Sequence, residues 1–83
     1  MTYFVESDNA LKAEFKFVDF TQAWAFMSEV AIHAEKQNHH PNWSNVYNTV
    51  NIHLTTHDAG NTVTDKDRKL AEKINQLYGR YAK

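Results

Sequence analysis

The run Leu11-Lys12-Ala13-Glu14-Phe15-Lys16-Phe17 leads without a break into Val18-Asp19-Phe20-Thr21-Gln22-Ala23-Trp24, and the apolar period changes at the junction. Leu11, Ala13, Phe15 and Phe17 share one parity, while Lys12, Glu14 and Lys16 take the other. A period of two is the pattern of a strand with one buried face. Beyond Asp19, the residues Phe20, Trp24, Met27, Ala31 and Ala34 recur at helical spacing, with Ala23 and Val30 widening the stripe. That is the pattern of a helix lying with one side on a core. Asp19 suits the N-cap position because its carboxylate can accept an N–H of the first turn, and Gln22 can complete a capping box. The helix is expected to run to about Gln37, since Pro41 forces His40 into an extended conformation.

On the amino-terminal side, Thr2 to Glu6 is a short β-prone run ending in the turn-forming Ser7-Asp8-Asn9, so it should form a hairpin with Leu11–Phe17. On the other side, Trp43 to Tyr47 is a short aromatic strand. Val50, Ile52 and Leu54 then alternate with Asn51, His53 and Thr55. His57 keeps the parity of the polar set and is expected to project from the face opposite the core if the strand extends that far. Asp58-Ala59-Gly60-Asn61 reads as a turn. Thr64 with Asp67 three residues later is a second capping box, followed by Leu70, Ala71, Ile74, Leu77 and Tyr81 as an amphipathic final helix, with Gly79 near its end. The order is ββαββα. It implies an α+β two-layer sandwich, a four-stranded antiparallel sheet with two long helices on one face. No repeat or low-complexity segment is visible, and 83 residues suffice for one domain, 1–83.

Composition narrows the function. Nine Lys+Arg against ten Asp+Glu give a net charge of -1, with no basic stripe to suit a phosphate backbone, so nucleic acid is not expected as a partner. There is no cysteine, which removes disulfides and thiolate metal sites. Met1 to Asn9 holds Glu6 and Asp8 and no apolar run, and nothing downstream has membrane-spanning length. A soluble cytoplasmic protein is the expectation, with no membrane partner. Five histidines in so short a chain stand out.

Glu35 and His39 are four residues apart and share a helix face if the last turn persists. His39 and His40 sit where the helix stops, at Pro41, and His57 lies at the end of the long strand. Ends of elements are where reactive side chains concentrate. Three imidazoles there can meet in a shallow cleft, and a group titrating near pH 6.5 both gives and takes protons. Plainer roles compete. His53 reads as a strand-surface residue and His33 as a structural mid-helix one. Metal ligation by the His pair is disfavoured, because adjacent residues seldom reach one ion and no carboxylate or thiolate follows at a ligand spacing. Spacing alone leaves catalysis open.

The string Glu35-x-x-x-His39-His40-Pro41-x-Trp43-x-x-x-Tyr47-x-x-Val50-x-Ile52-x-Leu54-x-Thr56-His57 resembles the signature of the pterin-4a-carbinolamine dehydratases. The flanks agree: Glu14–Phe20 resembles that family's strand-to-helix junction, Phe26–Ala31 and Ala34–Lys36 its first long helix, and Thr64–Asp67 with Leu70-Ala71 the start of its last. The resemblance implies an enzyme that removes water from 4a-hydroxytetrahydropterin to give the quinonoid dihydropterin, in tetrahydropterin recycling. It implies His39, His40 and His57 as active-site histidines. His39 and His57 would handle protons and His40 would orient the pterin, with Glu35 and Asp67 bordering the site and Trp43 at its mouth. It implies no metal, no cofactor, and self-association as a homodimer or homotetramer. The other role open to the fold is a non-catalytic binding or dimerisation module, as in relatives that partner a transcription factor.

Three departures accompany the resemblance. Asn38 stands where many relatives have an aspartate, so charge is missing beside the His pair. The turn between His57 and Asp67 is one residue longer, with Asn61-Thr62 where a glycine is common. Relatives usually carry an amino-terminal helix before the first strand, whose lack is expected to alter assembly or one wall of the pocket.

Overall fold

Two tight turns set the strand register. In the computed structural model, which describes residues 3–82, β1 (Val5–Ser7) and β2 (Ala10–Lys16) pair antiparallel around Asp8 and Asn9. Both turn residues have positive φ, 52° and 62°, as a type I′ hairpin requires, and Asp and Asn tolerate it better than other side chains. β3 (Asn42–Val46) and β4 (Thr49–Leu54) form a second hairpin around Tyr47-Asn48. There the Asn45 amide donates to the carbonyls of Tyr47 and Thr49, at 3.1 and 2.9 Å, and holds the turn. The central pairing is β2 with β4, from Leu11 opposite Leu54 to Lys16 opposite Thr49, so the sheet order is β1-β2-β4-β3.

One parity of the two central strands meets both helices, α1 (Phe20–Gln37) and α2 (Asp65–Tyr78). Leu11, Ala13, Phe15, Val50, Ile52 and Leu54 form one core with Phe26, Val30, Leu70 and Ile74. Phe15 sits at its centre, fully buried, with the rings of Tyr3, Phe4, Phe26 and Tyr78 at 4.7–5.9 Å in tilted or edge-on contact. Burial of such a ring stabilises the fold by about 1.5–3 kcal/mol. The α+β two-layer sandwich inferred from pattern is the architecture observed.

The structure corrects several details. The first strand was expected over Thr2–Glu6; Thr2 lies outside the described residues, and pairing runs over Val5–Ser7. On α1 the buried side is Ala23, Phe26, Met27, Val30 and Ala34, whereas Phe20, Trp24 and Ala31 are exposed. Small Ala23 and Ala34 lie against the core, and the bulky Phe20 and Trp24 stack on one another outside it, ring centroids 6.2 Å apart. Asp19 caps α1 through the Gln22 N–H at 2.9 Å, but the Gln22 side chain accepts from the Val18 N–H instead of closing a box. The third strand begins at Asn42 and leaves Tyr47 in the turn. The last helix ends at Tyr78, and Tyr81 packs on the core from the turn that follows. β4 stops at Leu54, so strand parity does not govern His57. Thr56 bridges to Thr62, and His57–Ala59 forms one 3-10 turn closed by Gly60 at φ 79°.

Candidate active site

The end of α1 explains how two adjacent histidines take opposite environments. Asn38 adopts the left-handed conformation (φ 52°, ψ 41°) and its N–H bonds the Glu35 carbonyl, while the His39 N–H bonds the Ala34 carbonyl at 3.1 Å. This pair of bonds is a Schellman stop, whose left-handed residue is usually Gly and otherwise most often Asn. Asn38 therefore has a backbone task, separate from any charge it withholds from the histidines. The reversal turns His39 inward, 9% exposed, and leaves His40 in solvent.

Below His39 lies Asp67, at the third position of α2 and fully buried. The His39 Nε2 is 2.5 Å from Asp67 Oδ1, and Oδ2 accepts from the Thr56 hydroxyl at 2.7 Å and from the Thr64 N–H at 2.9 Å. Burial pushes the Asp67 carboxyl up, but the hydrogen bonds from His39, Thr56 and Thr64, with the His39 charge, outweigh it and hold it below its ordinary value. Asp67 is thus ionised at neutral pH and can only accept. His39 must donate from Nε2, leaving Nδ1 free. The capping box and the site are one set of atoms, so helix capping and histidine support are both tasks of Asp67.

The other two imidazoles follow the same logic with weaker partners. His40 Nε2 donates to Glu35 Oε1 at 2.8 Å, an exposed pair. His57 Nδ1 is 3.1 Å from Asn61 Oδ1, an amide oxygen that accepts, so the free nitrogen of His57 is Nε2. Each ring is held from one side and keeps one nitrogen available. His39, His40 and His57 come together on a hollow of about 270 Å³ whose wall also includes Asn38, Thr55, Thr56, Asp58 and Lys66. Glu35 and Asp67 brace the rings through their contacts with His40 and His39. Trp43 is half-buried against the core and is not on the wall. His53 is exposed on β4 and His33 half-buried in α1, both away from the hollow.

Sequence reasoning did not single out Thr55, Thr56, Asp58, Lys66 or Asn61 as functional. Thr55 reads as an ordinary strand residue, Thr56 as part of the family signature with no role of its own, and Asn61 as part of a longer turn. Lys66 could have been found, because it sits beside Asp67 at the helix start that Asp67 brings to the site. A larger groove of about 660 Å³ lies between β1 and α2, where Glu6 pairs with Arg68 at 3.1 Å. It has no imidazole on its wall, whereas the smaller hollow has three. Among the described residues, no group of three or more His, Cys, Asp or Glu is disposed to hold a metal ion. An imidazole can give or take a proton, so three on one wall could exchange protons with a bound molecule at more than one point.

Known proteins share much of this sequence and its fold. The family profile described as pterin 4 alpha carbinolamine dehydratase matches residues 2–77. A Prochlorococcus marinus (strain MIT 9515) protein provisionally named a pterin-4-alpha-carbinolamine dehydratase is 50% identical over 70 residues, 84% of this chain and 72% of that protein. A Dinoroseobacter shibae protein with the same provisional name is 53% identical over 73 residues, 88% of this chain and 74% of its own length. Among solved structures, a transcriptional coactivator/pterin dehydratase from Brucella melitensis superposes with a TM-score of 0.85 at 43% identity, covering 90% of this chain and 81% of that one. A pterin dehydratase-like protein described as a RuBisCO assembly factor in the alpha-carboxysome shares the fold, with a TM-score of 0.75 at 24% identity, covering 94% of this chain and 89% of that one.

Proposed function

Because the chain belongs to the pterin 4 alpha carbinolamine dehydratase family, we propose that it removes water from 4a-hydroxytetrahydropterin by histidine acid–base catalysis, acting in the cytoplasm in tetrahydropterin recycling. The observation that carries this is the meeting of His39, His40 and His57 on one hollow, each with a single free ring nitrogen.

In the reaction, the C4a–O bond breaks, the hydroxide takes a proton from an imidazolium and leaves as water, and the N5 proton passes to a neutral imidazole as the C4a=N5 bond forms. One histidine loses a proton and another gains one, so the pair is balanced over the turnover. His39 suits the base: when its Nδ1 takes the proton, the buried Asp67 carboxylate stabilises the imidazolium. His57 suits the acid, because its partner is the neutral Asn61 amide, which does not hold the proton by charge. His40, tied to exposed Glu35, orients the ring. Positioned acid–base groups of this kind supply about 10²–10⁴-fold in rate each.

Self-association as a dimer or tetramer belongs to the same proposal. Among the described residues the outer edge of β3 is unpaired in the sheet and the Phe20–Trp24 pair is exposed, both features that a second copy can cover. Sedimentation of a single monomeric species would remove that part. The alternative function is a non-catalytic binding or dimerisation module, which the same exposed aromatic pair would serve. The deciding experiment generates the carbinolamine in situ and follows its ultraviolet decay with and without the folded protein. Acceleration is expected; none selects the binding module.

A further inference from the structure

We propose that Thr56 is a positioning residue for His39: with Thr64 it forms a hydroxyl relay of fixed direction that keeps Asp67 a pure acceptor and so holds His39 in the tautomer with its proton on Nε2 and none on Nδ1. The inference deepens the dehydratase proposal and rests on it for its kinetic consequence only.

The direction follows from counting protons. Thr56 Oγ1 lies 2.7 Å from Asp67 Oδ2 and 2.6 Å from Thr64 Oγ1. A hydroxyl has one proton to give. The carboxylate has none, so the Thr56 proton points to Asp67. The short contact to Thr64 then has to use the Thr64 proton, donated to Thr56. Thr64 Oγ1 in turn accepts the Lys66 N–H at 3.3 Å. The chain of donors runs from the first turn of α2 through two hydroxyls to Asp67 Oδ2, while His39 donates to Oδ1.

Protonating Asp67 would disturb this order. A proton on Oδ1 would meet the His39 Nε2–H and force the ring into the other tautomer. A proton on Oδ2 would compete with the Thr56 hydroxyl and the Thr64 N–H, both already donating there. The relay therefore opposes a proton on Oδ2, the His39 N–H opposes one on Oδ1, and the Thr56 donation favours the ionised carboxylate over either. The partners of the Thr56 hydroxyl are Asp67 and Thr64, the two residues of the α2 capping box. The Thr56 bridge to Thr62 is made by backbone atoms and does not use the hydroxyl, which lies buried at 6% exposure against its two side-chain partners.

The test uses the full chain and two readouts. By ¹⁵N NMR, His39 is expected to carry its proton on Nε2. By ¹³C NMR, the Asp67 carboxyl midpoint is expected to move upward in Thr56→Val and to return in Thr56→Ser. Glu35 and His40 from the end of α1, His57 and Asp58 from the 3-10 turn, and Asp65 and Lys66 from α2 are unchanged in these variants, so a shift confined to Asp67 reports the lost hydroxyl. In the carbinolamine assay, Thr56→Val should lower kcat on the order of tenfold, the scale of one hydrogen bond to a charged group, with KM within about twofold, and Thr56→Ser should restore it. Thr64→Val removes the upstream hydroxyl while keeping the backbone bond to Asp67, and should move the Asp67 midpoint the same way by less. An Asp67 titration unmoved in the folded variants overturns the relay. If the unaltered protein fails to speed carbinolamine decay, the dehydratase proposal falls while the Asp67 titration still decides the relay.

Discussion

Asp67→Asn tests the site with almost no change in shape. The amide can place its oxygen where Oδ2 lies, accepting from the Thr56 hydroxyl and the Thr64 N–H, which puts its NH₂ against His39 Nε2. The opposite orientation would set the NH₂ against two donors, so it is the worse choice by about one unmade hydrogen bond, 1–3 kcal/mol. In the favoured orientation His39 must accept at Nε2, and its proton moves to Nδ1, the other ring nitrogen. The base then has no lone pair to offer. Loss of the correct tautomer should cost about 10²–10⁴-fold in kcat, the scale of a general base, with KM little changed because the wall of the hollow is intact. Replacing charge-assisted bonds by neutral ones should lower stability by about 1.5–3 kcal/mol. A domain of this length has roughly 4–12 kcal/mol to lose, so the variant should fold. Carbinolamine decay gives the kinetics, and urea unfolding gives the stability. A folded variant with kcat within about threefold of the original protein, or with its loss confined to KM, would refute the tautomer argument.

Three further outcomes are expected. The folded-state pKa of Asp67 lies below its unfolded value of 3.8, so its stabilisation is complete above that value and is lost as pH falls through the folded pKa. The stability gap between the original protein and Asp67→Asn should therefore be constant above about pH 5 and shrink below about pH 4 in urea titrations; a gap that stays level into strong acid contradicts the ionised pair. Asn61→Gly keeps the positive φ of 60° at this loop position while removing the amide that holds His57. It should cut kcat/KM by about three- to tenfold with stability changed by under ~0.5 kcal/mol, and an unchanged rate would mean His57 orients itself. Glu35→Gln breaks an exposed pair, so stability should move by no more than about 1 kcal/mol and kcat should fall at least tenfold less than in Asp67→Asn; equal losses would contradict the ranking of the two partners.

Most of the fold was legible because period and capping carry it. The alternation of Leu11 to Phe17 and of Val50 to Leu54 reports a sheet with one buried face, and Thr64 with Asp67 marks the start of α2. The side of α1 was less legible, since Phe20 and Trp24 outweigh Ala23 and Ala34 in any hydrophobic count, although the two alanines lie against the core beside Phe26, Met27 and Val30. The three histidines could be picked out by their places at element ends. What held them could not. Asp67 lies 28 residues from His39, and Thr56 joins them only because β4 stops at Leu54 and the chain turns. Such contacts depend on tertiary packing, which leaves no periodic trace. Asn38 shows the reverse case, a residue that looked like a missing charge and proves to be the left-handed stop of a helix.

The most direct measurement compares His39→Ala, His57→Ala and His53→Ala in the carbinolamine assay, each shown by circular dichroism to be folded. The first two should lose about 10²–10⁴-fold in kcat/KM, because each removes a proton-transfer group from the hollow, while His53→Ala, exposed on β4, should stay within about twofold. Similar rates for all three, or a loss at His53 matching that at His39, would contradict acid–base catalysis by the histidines of this hollow.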